Sequence, residues 1–186
     1  MSKMKDRLRR FRRWPHFWLA VIIIVSALGH FGLMWFPDEL VLDEQYYVEG
    51  ARAYLEGGEL QQPEHPPLGK AFITAGIWLF GDNQFGWRLM PIVFGLLAVF
   101  FFYLICRELK FSETVTNILT ALFAFENSVF LMASVAMLDI FSIALMLGGF
   151  WAYLARKYPL AVAFLAQPGR FRTGGLCCPA AAYLRH

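Results

Sequence analysis

Two acidic residues, Asp43 and Glu44, lie a few positions past a hydrophobic run and ahead of the hexapeptide His65-Pro66-Pro67-Leu68-Gly69-Lys70. Carboxylates are costly in or beside a bilayer, so a pair kept next to an apolar run reads first as a working site. Arg88 and Asp139 stand at the starts of two later apolar runs. A carboxylate can take a proton from a hydroxyl, and cations can steady an anionic leaving group. These residue types together therefore point to group transfer at an interface, provided the chain brings them to one side of a membrane.

Composition supplies the membrane. The chain is 58% hydrophobic and 17% aromatic, with only 17% charged residues among its 186, far more apolar than an ordinary soluble domain. A helix crosses the hydrocarbon core with about 20 apolar residues. Runs at 17–36, 85–106, 115–138 (broken near Glu126) and 140–155 predict an all-α integral membrane fold of about four transmembrane helices. A further apolar stretch opens at Leu160 and ends by Gln167.

Basic residues fix the orientation, because they remain on the cytoplasmic side. Lys3, Lys5, Arg7, Arg9, Arg10, Arg12 and Arg13 precede the first run, so segment 1–16 is read as a cytoplasmic N-terminus. Arg107 and Lys110, then Arg156 and Lys157, fall on the same side after the second and fourth runs. The first run is longer than a signal-peptide core, and Pro37-Asp38-Glu39 rather than a small-residue cleavage site follows it, which favours a retained anchor. Segment 37–84 is then an outer loop holding nine of the chain's 14 acids.

Within this loop, Tyr47, Ala51, Tyr54 and Leu55 recur at helical spacing before Gly57-Gly58, predicting an interfacial helix over 44–56. Asp43 falls at its N-cap position, where it could bond backbone N–H groups, act as a base, or do both. Pro67 suits the first position of a second helix through Phe80, too short to span. The N-terminus of that helix, with Lys70 in its first turn, suits a phosphate, although a rigid turn with a snorkelling lysine accounts for the same residues. Arg88 has either a local anionic partner or lipid headgroups to meet, and Asp139 could cap the fourth span. Asp43, Glu44, His65, Lys70, Arg88 and Asp139 are thus all expected at the outer face. Carboxylates and cations there suit transfer of a sugar from a polyprenyl phosphate to a hydroxyl, whereas a proton or ion pathway would place acids at span centres.

The ordered segments Leu42-Asp43-Glu44, Glu64-His65-Pro66-Pro67-Leu68-Gly69-Lys70, Phe80-Gly81-Asp82-Asn83-Gln84-Phe85-Gly86-Trp87-Arg88-Leu89 and Ala136-Met137-Leu138-Asp139 resemble the N-terminal part of the protein O-mannosyltransferases and their bacterial lipid-carrier-dependent relatives. The resemblance covers residues 15 to 165. It implies a partial glycosyltransferase C-type fold over 17–166 and transfer of mannose from a polyprenyl or dolichyl phosphate to Ser/Thr of an exported protein. A lipid or glycan acceptor, and a non-catalytic protein that binds the carrier or a partner, are the alternatives. By position, the resemblance makes Asp43 the catalytic base with Glu44 beside it, Arg88 and Lys70 the carrier-phosphate ligands, and His65 and Asp139 site-lining groups. It implies no metal, although Asp43, Glu44 and Asp139 are of a type that holds a hard cation. The donor lipid, the acceptor, membrane lipid and another copy of the chain are the expected partners. The expected place is the plasma membrane of a prokaryote, with the active face outward.

Members of that family continue through more spans. From Gln167 the chain reads Gln-Pro-Gly-Arg-Phe-Arg-Thr-Gly-Gly-Leu-Cys-Cys-Pro, with no acid after Asp139. The expectation for 167–186 is a frameshift or premature stop near residue 166. Cys106, Cys177 and Cys178 have neither zinc nor redox spacing. The basic N-terminus is explained by topology and anionic lipid rather than by nucleic acid.

Overall fold

A computed structural model describes residues 16–57 and 67–166. His65, the basic segment before His16 and the tail from Gln167 lie outside the described residues, as do Cys177 and Cys178. The described residues form eight helices: α1 Phe17–Leu33, α2 Glu44–Leu55, α3 Pro67–Phe80, α4 Gln84–Glu108, α5 Glu113–Ala124, α6 Asn127–Ser134, α7 Asp139–Leu154 and α8 Tyr158–Leu165.

Local chemistry sets most of these boundaries. Pro67 opens α3, where a missing N–H costs nothing. Asn83 caps α4 by accepting from the Gly86 amide at 3.2 Å, and Ser112 caps α5. Glu126 accepts from the Val129 amide at 2.9 Å and so starts α6 afresh. α5 and α6 meet at a 55° bend there, at the break expected in the third apolar run.

Among the described residues, α4 is the one helix long and apolar enough to cross a membrane by length and composition, and the bent α5–α6 pair would make a second. α1 and α7 coincide with the other two predicted runs as apolar helices of 17 and 16 residues. α4 is the centre of the packing, touching α1, α3, α5, α6 and α7. Its close approaches depend on missing side chains: a Cβ on Gly76 of α3 would run into the Gly86 carbonyl oxygen, and one on Gly95 into the Ala133 methyl group.

Neighbouring helix ends share one core. Tyr47, Val48 and Ala51 of α2 meet Ile73 and Ile77 of α3, Trp87 of α4, and Leu138, Ile140 and Phe141 around the start of α7. Phe72, Phe94 and Phe141 pack ring to ring, with centroids 4.6, 4.9 and 5.4 Å apart. α2 is therefore a docked element, which is what positions the residues at its N-terminus.

Candidate active site

Glu44 and Arg88 are both fully buried and face each other. Arg88 Nε donates to Glu44 Oε1 at 2.8 Å, and Nη2 donates to Oε2 at 2.8 Å. The other three guanidinium N–H groups go to backbone: Nη1 to the carbonyls of Met34 (2.8 Å) and Pro37 (3.0 Å), and Nη2 to that of Glu39 (3.3 Å). Glu44 is filled in the same way, with Oε1 accepting from the Ala136 amide at 2.7 Å and Oε2 from the Val41 amide at 3.0 Å. All five donors of the arginine and all four acceptor positions of the carboxylate are occupied. A buried pair offsets its desolvation only when its remaining hydrogen bonds are made in this way.

The pair joins segments remote in sequence: the exit from α1, the turn into α2, the second turn of α4, and the link from α6 to α7. Its effect on Asp43 is direct. The Glu44 amide donates to the Val41 carbonyl at 3.0 Å while the Glu44 carboxylate holds the Val41 amide, closing a tight turn. Leu42 inside it sits at φ 54°, a left-handed conformation costing a non-glycine residue about 1 kcal/mol. Asp43 follows, exposed.

Of the two roles the sequence leaves open for Asp43, capping is not made. Asp43 occupies the N-cap position of α2, but at φ −82° and ψ −1° its side chain makes no cap hydrogen bond. The turn puts its backbone in the helical region rather than the extended one a capping side chain needs. The residue is left exposed. Asp139 likewise makes no cap; it is the first residue of α7, after Leu138, and is exposed.

The charges of Asp43 and Asp139 both act on Tyr47, a buried residue one turn along α2 from Asp43. Burial pushes the Tyr47 phenol above its ordinary value, and the charges of Asp43 and Asp139 push it further the same way. Lys70 is buried on the first turn of α3, and a Cβ on the adjoining Gly69 would meet Leu138 and Phe141, on either side of Asp139 in sequence. Asp43, Tyr47, Lys70 and Asp139 therefore lie around one end of the shared core. Glu44 and Arg88 lie beneath it, turned toward each other. The guanidinium, which the resemblance makes a phosphate ligand, keeps no N–H for a phosphate here. His65 lies outside the described residues.

Sequence reasoning missed a second ion pair. Arg52, in the last turn of α2, donates from Nε to Asp82 Oδ2 at 2.7 Å and from Nη2 to Oδ1 at 3.0 Å, and Trp87 Nε1 donates to the same Oδ1 at 2.6 Å. The available signal was that Arg52 and Lys70 are the only arginine and lysine among the nine acids of residues 37–84. Among the described residues, no cluster of three or more His, Cys, Asp or Glu is disposed to hold a metal ion.

Residues 80–167 match the family described as dolichyl-phosphate-mannose-protein mannosyltransferase. The chain is protein O-mannosyltransferase-like. It is 35% identical over 149 residues to a polyprenol-phosphate-mannose–protein mannosyltransferase of Corynebacterium glutamicum, covering 73% of this chain and 28% of that protein. The protein of the same description from Mycobacterium tuberculosis is 27% identical over 157 residues, covering 81% and 30%. Protein O-mannosyl-transferase 1 of the rat is 26% identical over 138 residues, covering 63% and 18%. The chain thus spans less than a third of the length of these curated relatives. No solved structure matches it. The mannosyltransferase-like stretch opens at the α3–α4 turn and takes in Asp82, Trp87, Arg88 and Asp139, whereas Asp43, Glu44 and Lys70 fall before it and within the broader similarity to whole relatives.

Proposed function

We propose that the chain carries the acid-base end of a glycosyltransferase site that moves mannose from a polyprenyl or dolichyl phosphate to a hydroxyl, that of Ser or Thr in an exported protein. The observation that carries this reading is the exposed, uncapped carboxylate of Asp43, held at the rim of the core by the saturated Glu44–Arg88 pair. The names of the relatives supply the donor and the protein acceptor.

In the proposed reaction the acceptor hydroxyl oxygen attacks the anomeric carbon as Asp43 takes the hydroxyl proton. The bond from that carbon to the phosphate oxygen breaks in the same displacement, with inversion, and polyprenyl phosphate leaves. The N-terminus of α3, through its helix dipole, and the Lys70 ammonium are the groups whose charge suits that phosphate. Arg88 acts one step back, by fixing the turn that aims Asp43. Asp139 and the Tyr47 phenol line the acceptor side.

In this proposal α1, α4, the broken α5–α6 pair and α7 are the four spans. The N-terminus is cytoplasmic and the site faces outward from a prokaryotic plasma membrane, as the distribution of basic residues supports. The test is transfer of labelled mannose from polyprenyl-phosphate mannose by membranes containing the chain, offered a Ser/Thr peptide or a glycolipid. Labelled peptide supports the reading, labelled glycolipid alone moves the acceptor to lipid, and carrier binding with no transfer to either refutes the enzyme.

A further inference from the structure

α2 is held at both ends, with reversed polarity. At its N-terminus Glu44 presents a negative charge to Arg88. Eight residues later, on the same side of the helix, Arg52 presents a positive charge to Asp82, about 12 Å further along. The two partners belong to neighbouring parts of the chain, since Asp82 lies in the α3–α4 turn and Arg88 on the second turn of α4. Trp87 joins the outer pair to the core: its ring is buried among Val48, Ala51 and Ile77, its N–H holds Asp82, and the Arg52 guanidinium lies 5.4 Å from its ring centroid. A helix carrying minus then plus, docked on a strip carrying plus then minus, has one register, because sliding or inverting it opposes like charges.

We propose that Arg52, Asp82 and Trp87 form a positioning element for the site, setting the lie of α2 on α4 and through it the aim of Asp43. The inference rests on the catalytic reading of Asp43 given above. The buried clamp fixes where α2 begins; the outer clamp fixes the direction in which it runs. Arg52 holds the Asp82 carboxyl below its ordinary value, so the outer clamp stays charged over the neutral range. Unlike the inner clamp it is half exposed, so its loss loosens α2 without placing an unpaired charge in the core.

The experiment pairs two readouts on the full chain in lipid nanodiscs, with Arg52→Gln, Asp82→Asn and the conservative Arg52→Lys. Hydrogen exchange of the 44–55 amides reports docking independently of activity, and steady-state mannosyl transfer reports its consequence. Arg52→Gln and Asp82→Asn should each speed exchange over 44–55 about fivefold, with α4 and α7 unchanged. Each should lower kcat about tenfold while the KM for the mannosyl donor holds, as misplacement of a reacting group does. Arg52→Lys, which keeps the charge without the bidentate fork, should fall between. Unchanged exchange over 44–55 overturns the inference, and so does faster exchange with unchanged kcat. Absence of transfer by the wild-type chain counts instead against the proposed function, and the exchange arm still decides whether the triad holds α2.

Discussion

Replacing Glu44 by glutamine keeps the shape of the buried pair and removes its negative charge. Each carboxylate oxygen accepts two hydrogen bonds, Oε1 from Arg88 Nε and the Ala136 amide, and Oε2 from Arg88 Nη2 and the Val41 amide. Whichever position the new NH2 group takes, it meets two N–H donors, and the guanidinium is left buried without its counter-charge. Removing one member of a buried ion pair costs about 3–5 kcal/mol. At about 2–4 °C per kcal/mol for a chain of this size, the melting temperature should fall by roughly 10 °C. The assay is thermal unfolding in nanodiscs followed by circular dichroism, with Glu44→Gln, Arg88→Met and the double variant. Each single substitution should cost the full amount, and the double less than the sum, because it leaves neither an unpaired charge nor an unpaired carboxylate. A shift below about 2 °C in Glu44→Gln, or strictly additive costs, would refute the claim that the two groups satisfy each other.

Arg88→Lys should behave nearly as badly as Arg88→Met in the same melt, since three ammonium donors cannot replace five guanidinium donors in fixed directions. Gly76→Val should destabilise by about 1–3 kcal/mol, read as a lowered melting temperature, because its side chain would enter the space of the Gly86 carbonyl. The outer clamp carries a pH signature. Asp82 titrates below its ordinary value of 3.8 because Arg52 bonds the charged form. A depressed native value means the stabilisation is complete above the unfolded value and is lost as pH falls through the native one. The stability gap between wild type and Asp82→Asn should therefore close on acidification, and a gap constant down to the lowest pH would contradict the assignment.

Much of the architecture is legible because helix ends are encoded locally. Pro67 announces α3, Ser112 and Asn83 are cap residues at the positions they fill, and Glu126 breaks the third apolar run by capping a new helix. The predicted 44–56 helix is found as Glu44–Leu55. The end of α1 is less legible: the apolar run continues to Phe36, but the helix stops at Leu33, and the carbonyls of Met34, Pro37 and Glu39 turn in toward Arg88. Nothing in those residue types encodes a carbonyl's direction. The residue order predicts Glu44 and Arg88 at one membrane face but cannot pair them across 44 residues, nor see that the partnership occupies every donor the phosphate would need. Asp43 shows the converse limit: its type suits a cap, and the tight turn made by its neighbour denies it the backbone angles for one.

Asp43→Asn separates the proposed base from the framework that holds it, because Asp43 makes no cap bond and lies outside the buried pair. Mannosyl transfer and thermal unfolding of the same nanodisc preparation are the decisive measurement. The account predicts an unchanged melting temperature with transfer reduced by about 10²- to 10⁴-fold, the range for loss of a general base. Transfer at the wild-type rate by a correctly folded Asp43→Asn chain would contradict it.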